Sequence, residues 1–350
     1  MSRCKVAIVG YGGMGGWHAK KLKTIPEIEI AGTYDIREER QEAARADGLS
    51  PYASFEALLE DKSVQLVTIA TPNEVHAPLA IALMDSGKNV ISEKPVTLSS
   101  ELLETMIAAS KRNNKIFSVH QNRRWDEDFR IADKIVNENM LGKVFCVESR
   151  VHGSRGIPTD WRSMKKHGGG MVLDWGIHLF DQLMMMTKGQ KITNVYAELS
   201  YVTSEEVDDG LKVMMTFESG FCALAEIGTN NFVSLPRWYI TGENGTAVIE
   251  NFQLDGKIVM VSDWEKRDAV PVSTAAGITK TMAPRTAETI KEYPLPRVES
   301  DVRDYYYNMM DAIEGKAGQI VTHDQIRRTM KLMEAIFLSA QTKQAIHDII

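Results

Sequence analysis

The apolar and polar positions of this chain follow two patterns, and one gives way to the other near residue 120. In the first, short apolar runs rich in β-branched residues alternate with stretches of helical period. The runs are Lys5 to Val9, Glu27 to Asp35, Gln65 to Ala70, Asn89 to Ser92 and Lys115 to Val119. Continuous apolar character suits strands covered on both faces. Between them the pattern is helical over Arg37 to Asp47, Ser54 to Glu60, Glu74 to Ser86, and Ser99 or Ser100 to about Arg112. The serines are N-caps, and Gly48 and Gly87 are stop signals. This alternation predicts a doubly wound parallel sheet over residues 1–122. Right-handed crossovers then place the strand ends along one edge, where such folds bind ligands.

Beyond His120 the pattern changes. Asn122 to Asp126 leads into a helix reaching about Met140, and Lys143 to His152 reads as a strand. An irregular stretch follows through Trp161 and Arg162 to Gly168–Gly170, then a helix from about Met171 to Thr187. From Lys191 onward, runs of period two are separated by turns at Glu218-Ser219-Gly220, Asn244-Gly245 and Asp255-Gly256, which predicts antiparallel hairpins. Residues 123–350 are therefore expected to form an α+β domain with an open-faced, mainly antiparallel sheet. Its uncovered face would meet a partner. Lys266 to Arg297 lacks a period and reads as a long surface excursion. Helices over Asp301–Glu314 and His323 to about His347 close the chain, the last expected to pack back toward the first domain. Met184-Met185-Met186 reads as helix core.

Composition narrows the options. The 350 residues, 43% hydrophobic and 25% charged, are ordinary for a globular protein of two domains. A net charge of −6 gives no basic footprint for nucleic acid. No apolar run reaches the ~18 residues of a spanning helix. The amino terminus runs straight into the first strand without a signal-peptide succession. Three cysteines, Cys4, Cys146 and Cys222, lie far apart without a CxxC pair, as expected of reduced thiols in a cytoplasm. Cys4 and Cys222 read as small hydrophobes in or beside strands.

The candidate chemistry sits on the strand-end edge. After the first strand come Gly10, Gly12 and Gly15 in GxGxxG spacing, reading as strand, tight turn and helix start. Gly10 permits the turn, Gly12 lets a pyrophosphate approach the backbone, and Gly15 lets helix and strand pack closely. The helix start offers free amides and a positive dipole end to the phosphates. About twenty positions on, Asp35 ends the second run, where a carboxylate accepts from an adenosine ribose and repels a 2′-phosphate. NAD is the expected cofactor over NADP, although Arg37 lies nearby. Glu93-Lys94-Pro95 follows the fourth strand, and Pro95 restricts Lys94 to extended backbone. In Gly168 to Asp181, Asp174 and His178 are i and i+4, with Asp181 three further on, so all three share a helix face. A carboxylate one turn from an imidazole can hold its tautomer. The same set could hold a metal, but nothing near it completes tetrahedral zinc spacing, so no metal is expected. Arg123, Arg124, Trp125, Trp161 and Arg162 supply guanidinium donors and indole faces suited to sugar rings, or else core tryptophans and surface ion pairs.

These motifs, together with Thr71-Pro72-Asn73 and His76, occur in the order and spacing of the glucose-fructose oxidoreductase and inositol dehydrogenase family (Gfo/Idh/MocA), which the chain resembles over nearly its whole length. The resemblance implies a Rossmann NAD-binding domain and a catalytic set of Lys94, Asp174 and His178. It also implies a cofactor surface of Gly10, Tyr11, Gly12, Gly13, Met14, Gly15, Asp35, Ile36, Arg37, Thr71, Pro72, Asn73, His76, Glu93 and Lys94. Arg124, Trp125, Trp161 and Arg162 match substrate-side positions, joined there by Asp174 and His178, and the open sheet face implies a homodimer or homotetramer. The expected activity is hydride transfer between NAD and a ring hydroxyl carbon of a sugar, cyclic polyol or glycoside. Here His178 is the base, Asp174 orients it, and Lys94 bonds the reacting oxygen. Relatives that keep NAD bound while oxidising, epimerising or cleaving glycosides, and sugar sensors without turnover, are the alternatives.

Overall fold

The computed structural model describes residues 3–266 and 270–347. In the first half, β1 (Cys4–Val9), β2 (Ile28–Tyr34), β3 (Leu66–Ile69), β4 (Asn89–Ser92) and β5 (Phe117–Val119) form one parallel sheet in the order β2-β1-β3-β4-β5. β3 and β4 are buried along their whole length, as their continuous apolar runs require. The connecting helices are α1 (Gly13–Leu22), α2 (Glu38–Ala46), α3 (Phe55–Glu60), α4 (His76–Asp85) and α5 (Ser100–Asn113). Ser54 and Ser99 cap α3 and α5 through their side chains. The chain leaves β1 for β2 on one side and returns to β3 on the other. That reversal opens the crevice in which such sheets bind ligands.

The second half builds α6 (Glu127–Asn137), β6 (Val144–His152), α7 (Ile177–Met186), β7 (Ile192–Ser200), β8 (Gly210–Phe217), β9 (Cys222–Gly228), β10 (Trp238–Gly242), β11 (Gly245–Ile249) and β12 (Gly256–Val261). After these come β13 (Val272–Thr274), β14 (Gly277–Thr279), β15 (Ile290–Tyr293), α8 (Arg303–Ile313), α9 (His323–Thr342) and β16 (Ile346–His347). The main sheet has nine strands in the order β15-β12-β11-β10-β6-β9-β8-β7-β16, all antiparallel neighbours except the parallel pair β6 and β9. α7 and α9 cover one face, with Ser339 Oγ accepting from the Ala197 N–H at 3.0 Å. On the other face Tyr196 and Met214, partners across β7 and β8, stand exposed.

Three expectations need correction. The stretch from Lys266 to Arg297 is not all irregular: β13 and β14 pair as a ribbon and β15 extends the main sheet, while residues 267–269 lie outside the described part. The last helix stops at Thr342, because Lys343 takes a left-handed φ of +57° and turns the chain into β16. The helix expected from Met171 opens as a wide π-turn over Val172–Gly176 before α7 begins. α9 also reaches the first half: Arg327 donates to both Glu104 oxygens, at 2.6 and 2.8 Å, and Glu334 accepts from the Ser100 N–H at 2.7 Å.

Candidate active site

The glycine loop after β1 is held open by sterics. Gly10 has φ +89°, and a Cβ there would come 2.5 Å from the Ala70 carbonyl oxygen; one on Gly15 would come 2.0 Å from the Gly10 oxygen. Neither position admits a side chain. At Gly12 and Gly13 a Cβ would meet nothing within 4 Å. α1 has no side-chain cap, so its first-turn N–H groups face this space unpaired by any cap. A diphosphate fits that cradle in both charge and room. Asp35 braces it: Oδ2 accepts from the Tyr11 N–H at 2.7 Å and Oδ1 from the Arg37 N–H at 3.0 Å. Ile36 and Arg37 are exposed, and Met14 lies half-buried. Across the crevice Thr71 Oγ1 is buried without a partner, a donor left for a bound molecule. These residues fit an NAD-type dinucleotide.

Lys94 reaches across to the second half. Its Nζ donates to the Asp174 carbonyl oxygen at 2.8 Å and to Asp174 Oδ1 at 3.1 Å, while Arg162 Nε donates to Oδ2 at 3.1 Å. Burial would raise the Asp174 carboxyl, but the two cations outweigh it and hold the group below its ordinary value. It is an anion clamped between one cation from each half. His178 lies buried on α7, its Nδ1 without a partner and the Trp175 ring edge-on at 6.0 Å. Burial, with Lys94 and Arg123 nearby, holds the imidazole well below its ordinary value. It is therefore neutral at pH 7. No hydrogen bond joins Asp174 to His178: the carboxylate is turned to Lys94 and Arg162, and the π-turn alters the helical spacing between the two. The carboxylate expected to orient His178 bonds Lys94 and Arg162 instead.

The family model described as "Oxidoreductase family, NAD-binding Rossmann fold" matches residues 4–121, and that for the GFO/IDH/MocA C-terminal domain matches residues 129–248. The chain belongs to the Gfo/Idh/MocA oxidoreductase family. Among solved structures, an NAD-binding protein from Listeria innocua is 43% identical, covers 99% of this chain and 100% of its own, and superposes with a TM-score of 0.96. A scyllo-inositol 2-dehydrogenase (NADP(+)) of Bacillus subtilis is 25% identical across 98% of this chain and 95% of its own. A myo-inositol 2-dehydrogenase of Thermotoga maritima is 28% identical across 62% of this chain and 66% of its own. As a Gfo/Idh/MocA member the chain is an oxidoreductase with a dinucleotide-binding Rossmann half.

Several residues expected at the site of this Gfo/Idh/MocA oxidoreductase have other duties. Arg124 is buried and makes four hydrogen bonds, to Asp181 Oδ2 at 2.7 Å and Oδ1 at 2.6 Å, to the Ile320 carbonyl at 3.2 Å and to Gln325 at 3.0 Å. Trp125 is buried too, its ring meeting Tyr305 edge-on at 5.8 Å. Neither side chain is open to solvent, and a guanidinium so engaged has little left to offer a ligand. A 320 Å³ cavity borders Arg124 and Asp181, but its other walls, Met184, Met185, Lys188, Gly189, Gln325 and Arg328, do not belong to the Lys94 site. His76 is fully buried, its nitrogens 2.9 Å from the Thr71 oxygen and 3.0 Å from the Pro95 oxygen, so it ties two crevice loops together rather than lining them. Glu93 is likewise turned inward. Asn73 donates to the His167 and Gly168 carbonyls at 3.2 and 3.1 Å, joining the two halves beside the exposed Pro72. Trp161 remains at the mouth, stacked under the Arg162 guanidinium at 4.5 Å. Two further aromatic residues, Trp175 and Phe252, join the site without an expected role. The Arg123 guanidinium lies 4.0 Å over Trp175 and 6.0 Å from Phe252. Trp175 had a signal, between Asp174 and His178; Phe252, in the loop after β11, had none.

Asp208 anchors the start of the π-turn: Oδ2 accepts from the Val172 N–H at 2.8 Å and its carbonyl from the Met171 N–H at 3.0 Å. Burial, with Asp209 adding to it, pushes this carboxyl up to about 6. The native state thus favours the protonated form, so stability falls as pH rises from the unfolded value near 4 through 6. At about 1.4 kcal/mol per unit this costs about 3 kcal/mol at pH 8. Asp208→Asn keeps an acceptor for Val172 and removes the ionisation. It should raise stability by about 1–3 kcal/mol at pH 8 and by less at pH 5, as read from urea denaturation at the two values.

Proposed function

We propose that this oxidoreductase moves a hydride between NAD and the carbinol carbon of a sugar, cyclic polyol or glycoside. The observation that supports the reading most is the clamp of Lys94 on Asp174 beside a neutral, buried His178, on the edge that carries the glycine cradle. The nicotinamide would supply the hydride acceptor. The chain's own groups deal with the proton. Lys94, oriented by Asp174, bonds the substrate oxygen and makes its hydroxyl more acidic, as a preoriented cation does in a site that excludes water. A base as weak as His178 can take the proton only because that acidity rises as the hydride leaves. As the carbinol carbon becomes the ketone its hydride would leave for the bound nicotinamide, and His178 would take the hydroxyl proton. Trp161 and Arg162 suit the apolar and hydroxyl faces of a sugar ring. A second copy of the chain would cover the sheet face carrying Tyr196 and Met214.

Asp35 supports NAD over NADP. Asp35→Asn keeps an acceptor for the Tyr11 amide and removes the charge opposite a 2′-phosphate. The ratio of NADP to NAD affinity, read by titration, should rise about tenfold, the worth of ~1.4 kcal/mol of relieved repulsion. An unchanged ratio would place the specificity elsewhere.

The direct test is absorbance of reduced nicotinamide with NAD and a panel of inositols, aldoses, sugar acids and glycosides. A rise with a ring polyol class supports the reading. No rise with any compound, from protein that yields NAD on denaturation, supports a tightly held cofactor or a sensor instead.

A further inference from the structure

Glu93 stands directly behind Lys94 and is 4% exposed. One of its oxygens, Oε1, lies 2.8 Å from His18 Nε2 and 2.8 Å from His120 Nδ1; the other, Oε2, accepts from the Lys94 N–H at 3.2 Å. His18 continues the chain, with Nδ1 2.6 Å from Tyr306 Oη. A carboxylate only accepts, so both imidazoles must donate to it. His18 then carries its proton on Nε2 and accepts from the Tyr306 hydroxyl, and His120 carries its proton on Nδ1. Both rings are fully buried, with Trp17 5.5 Å from each. Burial opposes the charge of Glu93, but His120 and His18 outweigh it and hold the carboxyl well below its ordinary value. α1, the ends of β4 and β5, and α8 thus meet on one buried anion, whose remaining oxygen grips the backbone of Lys94.

We propose that Glu93, fixed by His18 and His120, is a positioning residue that holds the Lys94 backbone so that its ammonium meets Asp174 and the reacting hydroxyl. This rests on the role proposed for Lys94 above. The orientation is set by charge: a neutral amide of the same shape offers one acceptor where the carboxylate serves three donors.

The test compares Glu93→Gln, His120→Leu and His120→Asn in the full chain. Asparagine places a donor where His120 Nδ1 stands, and leucine does not. Two readouts are taken: kcat, KM and NAD affinity, and amide hydrogen exchange over residues 91–97, which needs no substrate. Glu93→Gln and His120→Leu should lower kcat about tenfold or more, with KM and NAD affinity within about threefold, and speed exchange over that segment. His120→Asn should recover most of both. The idea is overturned if Glu93→Gln leaves exchange and kcat unchanged, or if His120→Asn behaves like His120→Leu. It is equally overturned if NAD affinity falls in step with kcat, or if the purified protein carries one equivalent of metal that His120→Leu loses. Should Glu93→Gln fail to fold, the His120 pair decides. Should the wild-type chain turn over no polyol or glycoside, the functional reading fails and exchange alone judges this proposal.

Discussion

Lys94→Ala should lower kcat by about 10²–10³-fold while NAD affinity stays within about twofold, the pattern of an interaction made chiefly in the transition state. The reason lies in the geometry. The ammonium is already aligned by two contacts with Asp174, so it has no reorganisation to undergo when charge develops on the substrate oxygen. Removing it also leaves Asp174 with Arg162 as its one cation among the described residues, at 3.1 Å, so some loss of stability accompanies the loss of rate. Stopped-flow reduction of NAD, with cofactor affinity from quenching of tryptophan fluorescence, separates the effects. Equal losses in both would remove Lys94 from the chemistry and assign it to the cofactor.

Arg124→Ala should be the most destabilising single change, at about 3–5 kcal/mol in urea denaturation, because it strands Asp181 as a buried charge. Both side chains are almost fully inaccessible, and their forked pair ties the turn before α6 to α7, with further bonds to the carbonyl of Ile320 and to Gln325 on α9. The cost belongs to the stranded partner as much as to the lost bond. Replacing both at once, Arg124→Met with Asp181→Leu, should therefore recover much of it. A double variant as unstable as the sum of its parts would mean that the two charges act independently.

The backbone-level features were the readable ones. The glycine spacing, the capping serines and the strand ends after β1, β3 and β4 follow from local rules, because φ, caps and apolar period are decided within a few residues. Lys94 met Asp174 because strand-end topology brings the end of β4 to the turn before α7, while the i, i+4 spacing of Asp174 and His178 did not join those two. What failed was partner choice. Arg124, His76 and Glu93 each stand beside the crevice in sequence, yet burial turned them to partners 57, 19 and 75 positions away, among others. Nothing local in the chain announces such distant pairs. The π-turn was invisible for the same reason, since one extra residue in a helical turn leaves the hydrophobic period almost unchanged.

The parallel pairing of β6 with β9 sets a timetable for the chain. Arg150 meets Glu226 across that pair, 76 positions further on, and the intervening stretch contains Arg162, Asp174 and His178. Neighbouring parallel strands cannot be joined by a tight turn, so this long loop must close before its contents have fixed places. The glycine cradle depends on contacts made within the first seventy or so residues, and pairings of shorter range form sooner. During refolding, recovery of nucleotide binding would thus run ahead of recovery of turnover.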